Sequence, residues 1–190
     1  MLYTRKGDSG TTKAFNTKSG QRISKSSCQT EALGALDELN SFSGLLKVKL
    51  ADVSWKVNIS ASENKTPAEI IQWVQECLFI VQAEVAGADK EIDQTKVDHI
   101  EWTVDWIEKE MPSIKTFFIS GGTEIASLFD VCRTLARRAE RRVIAGVEAE
   151  EVVVGPVTLA FLNRLSSLFY ALARLSNHKS GIKEQAPTYQ

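Results

Sequence analysis

From Gln29 onward the apolar positions recur at steps of three and four. Ala32, Leu36, Leu39, Phe42 and Leu46 form one stripe, which predicts a helix of about twenty residues ending near Leu50. Ala51 to Lys65 is polar and without period, and reads as a loop. Thr66-Pro67-Ala68-Glu69 then combines a capping hydroxyl, a proline suited to the first helical position and a glutamate able to close a capping box. The helix it opens carries Trp73, Cys77, Ile80, Val81 and Val85 and runs to Gly87. A similar start, Thr95-Lys96-Val97-Asp98, precedes Ile100, Val104 and Ile107, with Pro112 past the end. Next come Thr116-Phe117-Phe118-Ile119-Ser120-Gly121-Gly122, a short apolar stretch and a glycine turn, and Thr123 as cap of a long fourth helix. That helix holds Ile125, Leu128, Cys132, Leu135, Ala139, Val143 and Val147, and Pro156 opens a fifth ending near Asn177. Five amphipathic helices with little strand signal predict an all-α bundle.

The first thirty residues differ in kind. They hold Arg5, Lys6, Lys13, Lys18, Arg22 and Lys25 against one acid, Asp8, among Gly, Ser and Thr, with no apolar period. The chain therefore divides into an extended basic arm (1–28), a helical bundle (29–177) and a polar tail (178–190), together one domain of 190 residues. Over the whole chain, 23 Lys+Arg nearly cancel 24 Asp+Glu, which gives no global reason to expect nucleic acid or an anionic membrane as partner. No apolar run approaches the roughly 20 residues of a membrane span, and the start Met1-Leu2-Tyr3 has no hydrophobic signal region. Cys28, Cys77 and Cys132 are odd in number and widely spaced, as expected of a reducing, cytoplasmic setting.

Four constellations could carry chemistry. In Thr4-Arg5-Lys6-Gly7-Asp8-Ser9-Gly10-Thr11-Thr12-Lys13, glycines admit a bound oxyanion to backbone amides, hydroxyls donate and basic side chains supply charge. A mobile basic terminus explains the same composition equally well. In the fourth helix, Arg133, Arg137 and Arg141 share one face with Glu140 beside them. The plainer account of that ridge is a lattice of salt bridges to the acidic third helix, Asp98 to Glu110; the other is a polyphosphate held by bidentate donors. The fifth helix carries Asn163, Ser167, Tyr170 and Arg174 as a polar stripe that should face a cavity, a neighbouring subunit or solvent. Asp37, within the apolar pattern of the first helix, lies near its buried edge and calls for an arginine.

Other chemistries lack their residues. The two histidines, His99 and His178, belong to no Glu-x-x-His pair, so di-iron ligands are missing. There is no Cys-x-x-Cys, no Gly-x-Ser-x-Gly and no Walker A loop.

Four segments in order resemble one family, the ATP:cob(I)alamin adenosyltransferases of the propanediol-utilisation type. They are Tyr3 to Thr12, then Glu31-Ala32-Leu33-Gly34-Ala35-Leu36-Asp37-Glu38-Leu39-Asn40, then Arg133 to Arg142, and Asn163-Arg164-Leu165-Ser166, with Phe117 and Gly121-Gly122 fitting the turn before the arginine helix. The resemblance implies a ferritin-like five-helix bundle assembled as a homotrimer with sites between subunits. It implies transfer of the 5′-deoxyadenosyl group of ATP to the cobalt of cob(I)alamin, with Mg²⁺ assisting and triphosphate released. Cob(I)alamin is itself a strong nucleophile, so the protein need only place C5′ and neutralise the leaving group. A corrinoid reductase and a cobalamin-dependent mutase or dehydratase are the partners it implies.

By the same resemblance, Thr4, Arg5, Gly7, Asp8, Gly10, Thr11, Thr12 and Lys25 would hold or shape the ATP site with Arg137, Glu140, Arg141 and Asn163, Glu140 being the candidate side chain near Mg²⁺. Asp37 and Arg133 would pair across the subunit interface. Phe117 would press on the lower corrin face, favouring four-coordinate cobalt, with Asn163 and Ser167 on the corrinoid side. The chain departs from the family at Lys25-Ser26-Ser27-Cys28-Gln29, where Lys-Asp-Asp-Pro-Arg is usual, and at Gln82, Ser120 and Ser167, in place of glycine, proline and aspartate. Two rival readings are a non-catalytic trimeric carrier or sensor of ATP or adenosylcobalamin, and a helical scaffold.

Overall fold

A computed structural model describes residues 3–18, 21–114 and 116–189. Met1-Leu2, from the start read for a leader, and Ser19-Gly20 of the arm lie outside them. Five helices dominate: α1 (Cys28–Lys49), α2 (Pro67–Val85), α3 (Gln94–Glu110), α4 (Glu124–Glu148) and α5 (Pro156–Lys179). Two short antiparallel pairs flank α1: β1 (Thr11–Thr12) with β2 (Ile23–Ser24), and β3 (Val57–Asn58) with β4 (Asn64–Lys65). These pairs correct the strandless reading of the arm and of the loop 51–65. Strands of two residues carry no periodic signal.

The caps follow the sequence closely. Thr66 accepts from Glu69 N while Glu69 accepts from Thr66 N, a complete capping box. Those bonds hold the Glu69 carboxyl below its ordinary range. Thr123 caps α4 by accepting from Ala126 N, and Ser27 caps α1 by accepting from Thr30 N. The third start differs from expectation. Asp93, not Thr95, is the N-cap, and Thr95 and Lys96 both bond to its carboxylate.

α4 packs against α5 and α1, α1 against α2, and α3 against α5. The shared core includes Leu36, Leu39, Val74, Leu78, Ile100, Phe129, Phe161 and Phe169, all fully buried. Trp73 of α2 stacks on His99 of α3 at 4.3 Å and meets Phe161 of α5 edge-on at 6.2 Å, closing the bundle between α2 and α3. Cys77 and Cys132 lie in the core, where burial pushes both thiols up to about 12.

α5 starts at Gly155, which has no side chain to cap it. The cap comes from α2 instead. Glu84, 8% exposed, accepts from Gly155 N at 2.7 Å and from Thr158 Oγ1 at 2.5 Å. No helix among the described residues is long and apolar enough to cross a membrane.

Candidate functional site

The arm is seated at the end of the bundle where α1 begins and α2 and α4 finish. Asn16 of the arm lies against Gly87, where an added Cβ would stand 2.6 Å from the Asn16 Cβ. Gln29 of α1 donates from Nε2 to Asn16 Oδ1 at 3.5 Å and to Val85 O at 2.9 Å, and from its backbone N to the Glu151 carboxylate at 3.1 Å. The β1–β2 pair is fastened by Arg22, whose Nε donates to Thr11 Oγ1 at 2.8 Å and whose Nη2 donates to Thr11 O at 2.7 Å. Lys25 Nζ donates to Gly7 O at 2.9 Å. A Cβ on Gly7 would stand 3.0 Å from that ammonium, so glycine leaves the room this contact needs.

These ties shape an open hollow of about 410 Å³ lined by Thr4, Gly7, Thr11, Thr12 and Lys25, with Lys6, Lys13 and Arg22 beside them. Five of the sequence-predicted ATP residues are thus brought together. Arg5, Asp8 and Gly10 do not line the hollow. Arg5 has a left-handed backbone (φ 60°) and stands over the Tyr3 ring at 5.5 Å. Gly10 takes φ 77° and accepts from Lys25 N through its carbonyl, making it a turn residue. In the sequence Lys6, Lys13 and Arg22 count only as arm charge, because which basic side chains converge depends on hairpin register.

A second cavity, about 600 Å³, lies between residues 114 and 116–121 of the loop before α4, the first half of α4 and the second half of α5. Phe117, Arg133, Arg137 and Ser167, four of the residues singled out in the sequence, line it together. Phe117 is 78% exposed, free to meet a ligand. The polar stripe of α5 faces this cavity through Ser167, Tyr170 and Arg174. Burial raises the Tyr170 phenol above its ordinary range, with the nearby Arg174 guanidinium opposing. Asp130, Ser166, Asn177 and Glu184 also line it, beyond the residues expected from sequence; only the α5 spacing gives a signal that could find Asn177.

The loop is held at its glycine end by Asn177, 5% exposed, which donates from Nδ2 to Gly121 O at 2.9 Å and accepts from Thr123 N at 3.0 Å. Gly122 has φ 105°, and an added Cβ would run into that amide.

The α4 arginines do not pair with the acidic α3, contrary to the lattice reading. Arg138 bonds Glu38 of α1 at 2.9 Å, Arg142 lies 3.9 Å from Glu31 of α1, and Arg133 bonds Asp130 of its own helix at 3.0 Å. Helix order explains this, since α1 rather than α3 is the neighbour of α4. It is Arg164 of α5 that meets α3, through Glu101 at 2.8 Å. Arg137 and Arg141 are exposed and have no ion-pair partner among the described residues. Asp37 is exposed rather than at a buried edge, and Arg133 is not its partner within the chain. Asn163 Nδ2 donates to Glu140 Oε1 at 2.8 Å, joining two predicted ATP residues just outside the cavity.

The two hollows share no lining residue. Arg137 is about 16 Å along the axis from the end of α4, at the usual helical rise, and the arm is seated beyond that end.

The description "cobalamin adenosyltransferase" belongs to the family model that matches residues 2–176. A corrinoid adenosyltransferase of Bacillus subtilis (strain 168) is 35% identical over 181 residues, 95% of this chain and 89% of that protein. The corrinoid adenosyltransferase PduO of Citrobacter freundii is 34% identical over 184 residues, 93% of this chain and 50% of that protein. Among solved structures, a variant PduO-type ATP:corrinoid adenosyltransferase from Lactobacillus reuteri, complexed with cobalamin and ATP, superposes with a TM-score of 0.84 at 26% identity. The match covers 99% of this chain and 97% of that one. With the family model matching most of the chain and a relative 35% identical over 95% of it, the chain belongs to the cobalamin adenosyltransferase family.

Proposed function

We propose that this chain transfers the 5′-deoxyadenosyl group of ATP to the cobalt of a cob(I)alamin-type corrinoid. The Co–C5′ bond forms as the C5′–O bond breaks, and triphosphate leaves. The observation that carries the reading is the pair of hollows. One is lined by threonine hydroxyls and four cations, Lys6, Lys13, Arg22 and Lys25, and suits a polyphosphate. The other gathers an exposed aromatic, Phe117, in one cavity with Arg133 and Arg137.

The protein's own work is positioning and charge neutralisation. Lysines and Arg22 of the arm draw in the phosphates, while Thr4, Thr11 and Thr12 donate hydroxyls. Arg137, free of any ion pair among the described residues, offers a planar fork to the departing triphosphate, and negative charge builds there in the transition state. Phe117 excludes water and a lower ligand from the corrin face. No base is required, because the cobalt nucleophile carries no proton to lose.

Magnesium fits as an ion carried by the phosphates. No group of three metal-ligating side chains exists among the described residues, while Glu140 has one carboxylate oxygen bonded by Asn163 and a second without a bond in the described set. Mg²⁺ commonly takes one carboxylate plus phosphate oxygens and water. Bound there, it would screen charge on the leaving group.

The two halves of the site lie apart within one chain, so each complete site joins the arm of one copy to the cavity of the next, in a homotrimer with Asp37 meeting Arg133 across the contact. Arm, bundle and tail act as one domain. Three free thiols suit the cytoplasm, where a corrinoid reductase would supply Co(I) and a mutase or dehydratase would take the product.

The deciding experiment incubates the chain with ATP, Mg²⁺ and chemically reduced cobalamin and follows the cob(I)alamin absorbance. The expected result is a protein-dependent loss matched by adenosylcobalamin formation. No loss above the protein-free rate overturns the enzyme reading and favours the carrier.

A further inference from the structure

We infer that Arg174 is a positioning residue that, clamped by Glu184 of the C-terminal tail, sets the direction in which Phe117 faces its cavity; this rests on the adenosyltransferase reading above. Arg174 is a cation on an otherwise apolar stretch of α5 and is only 7% exposed. A charge so placed needs a partner, and it has two. Its Nε donates to Glu184 Oε2 at 2.9 Å, and the carboxylate side chain is itself 16% exposed. Its guanidinium carbon stands 5.0 Å from the centre of the Phe118 ring. A desolvated cation–π contact is stronger than an exposed one, and removing one partner of a desolvated ion pair strands the other.

Phe118 is the neighbour of Phe117 in a segment with no helix of its own. With Phe118 half-buried under Arg174, Phe117 is left pointing outward, as its exposure records. The tail adds a second tie one residue on, where Ile119 N donates to Gln185 O at 2.8 Å. Phe118, Arg174 and Glu184 line both the 600 Å³ cavity and a second one of about 480 Å³ behind it. They form the partition between the two. Loosening any of them would let the aromatic pair turn into the rear cavity and withdraw Phe117 from the front one.

The test compares Arg174→Lys, which keeps the charge but loses the planar fork, with Glu184→Gln, which keeps the shape but loses the charge. Glu101→Gln, at the exposed pair with Arg164 on α3, is the control. Hydrogen exchange at Ile119 is read without substrate, and adenosyl transfer is measured with ATP and corrinoid varied in turn. Both variants should exchange Ile119 about ten-fold faster while Thr123, tied separately by Asn177, is unchanged. Their kcat should fall about ten-fold with KM for ATP held, because the arm is untouched. The control should match the parent chain. Unchanged exchange at Ile119 overturns the proposal, as does faster exchange spread over the whole chain with normal kcat in the folded fraction. If Arg174→Lys does not fold, Glu184→Gln alone decides by the same readings. A parent chain without turnover overturns the adenosyltransferase reading and with it the catalytic sense of this one, whereas Ile119 exchange still reports whether Arg174 holds the loop.

Discussion

Asn177→Ala should loosen the junction of the glycine turn with α4 and cost about 2 kcal/mol. The amide makes two good hydrogen bonds, to Gly121 O at 2.9 Å and from Thr123 N at 3.0 Å. Each such bond has a net value of about 1 kcal/mol, and a buried group left without a partner costs about 1–3 kcal/mol. Gly121 and Thr123 are only half-buried, so water can replace part of the loss and the lower end of the range applies. For a chain of this size about 2 kcal/mol corresponds to a fall in Tm of about 4–8 °C. Asn177→Asp divides the effect. It keeps an acceptor for Thr123 N and places negative charge at the start of α4, which is favourable, but sets two oxygens against each other at Gly121. Its cost should be about 1 kcal/mol, a balance of the unmade bond against the helix-end gain. Both should be measured by urea unfolding at one fixed protein concentration, because assembly shifts apparent stability. A loss below about 0.5 kcal/mol for Asn177→Ala, the range of ordinary surface changes, would refute the reasoning.

Arg137→Lys should leave Tm unchanged, since the side chain is exposed and unpaired among the described residues, while turnover falls about ten-fold for each ~1.4 kcal/mol of transition-state stabilisation removed; lowered Tm with normal turnover would remove Arg137 from the site. Asp37→Ala, exposed within the chain, should hardly change unfolding of a separated chain, yet in the proposed trimer it should cost about 1.5–3 kcal/mol, the value of a hydrogen bond to a charged group, because Arg133 keeps Asp130 as a partner. Sedimentation reads this, and intact assembly with full turnover would dismiss the contact. Burial lowers the His99 pKa from 6.5, aided by Lys65, so the unfolded chain takes up its proton first, and stability is full above about 6.5 and falls as pH drops through the window below it. His99→Phe keeps an aromatic ring against Trp73 and should flatten that fall in urea titrations from about pH 7 to about pH 5; an unchanged pH slope would mean that other groups carry it.

Helix starts are legible because they are local chemistry. Thr66 with Glu69, Pro156, and Thr123 act on backbone groups within one turn, and each holds in the structure. Asp93 escapes notice because Thr95 offers a similar capping oxygen two residues later. Partners across helices are less legible. The periodicity of α4 places its arginines on a ridge but cannot tell whether α1 or α3 lies opposite, and that choice is made by bundle topology. The composition of the arm suggests phosphate chemistry but not its geometry, since the gathering of Lys6, Lys13 and Arg22 around one hollow with Thr11 and Gly7 depends on a hairpin with no apolar period. The tail reads as merely polar, although Glu184 and Gln185 fasten the aromatic loop. Nothing local marks a glutamate whose partner stands ten residues back on another element.

The cap that α2 lends to α5 bears on the order in which the chain folds. A helix whose first amides are met by its own N-cap can begin as an isolated segment, but α5 starts at glycine and receives Glu84 from 71 positions earlier in the chain. Its first turn is therefore complete only after α2 has formed and docked, and closing so long a loop costs entropy before any contact offsets it. α5 should nucleate in its apolar middle and gain its N-terminal turn last. A peptide of residues 155–179 would then fray at the Pro156 end, and Glu84→Ala would raise the unfolding rate more than it lowers the folding rate.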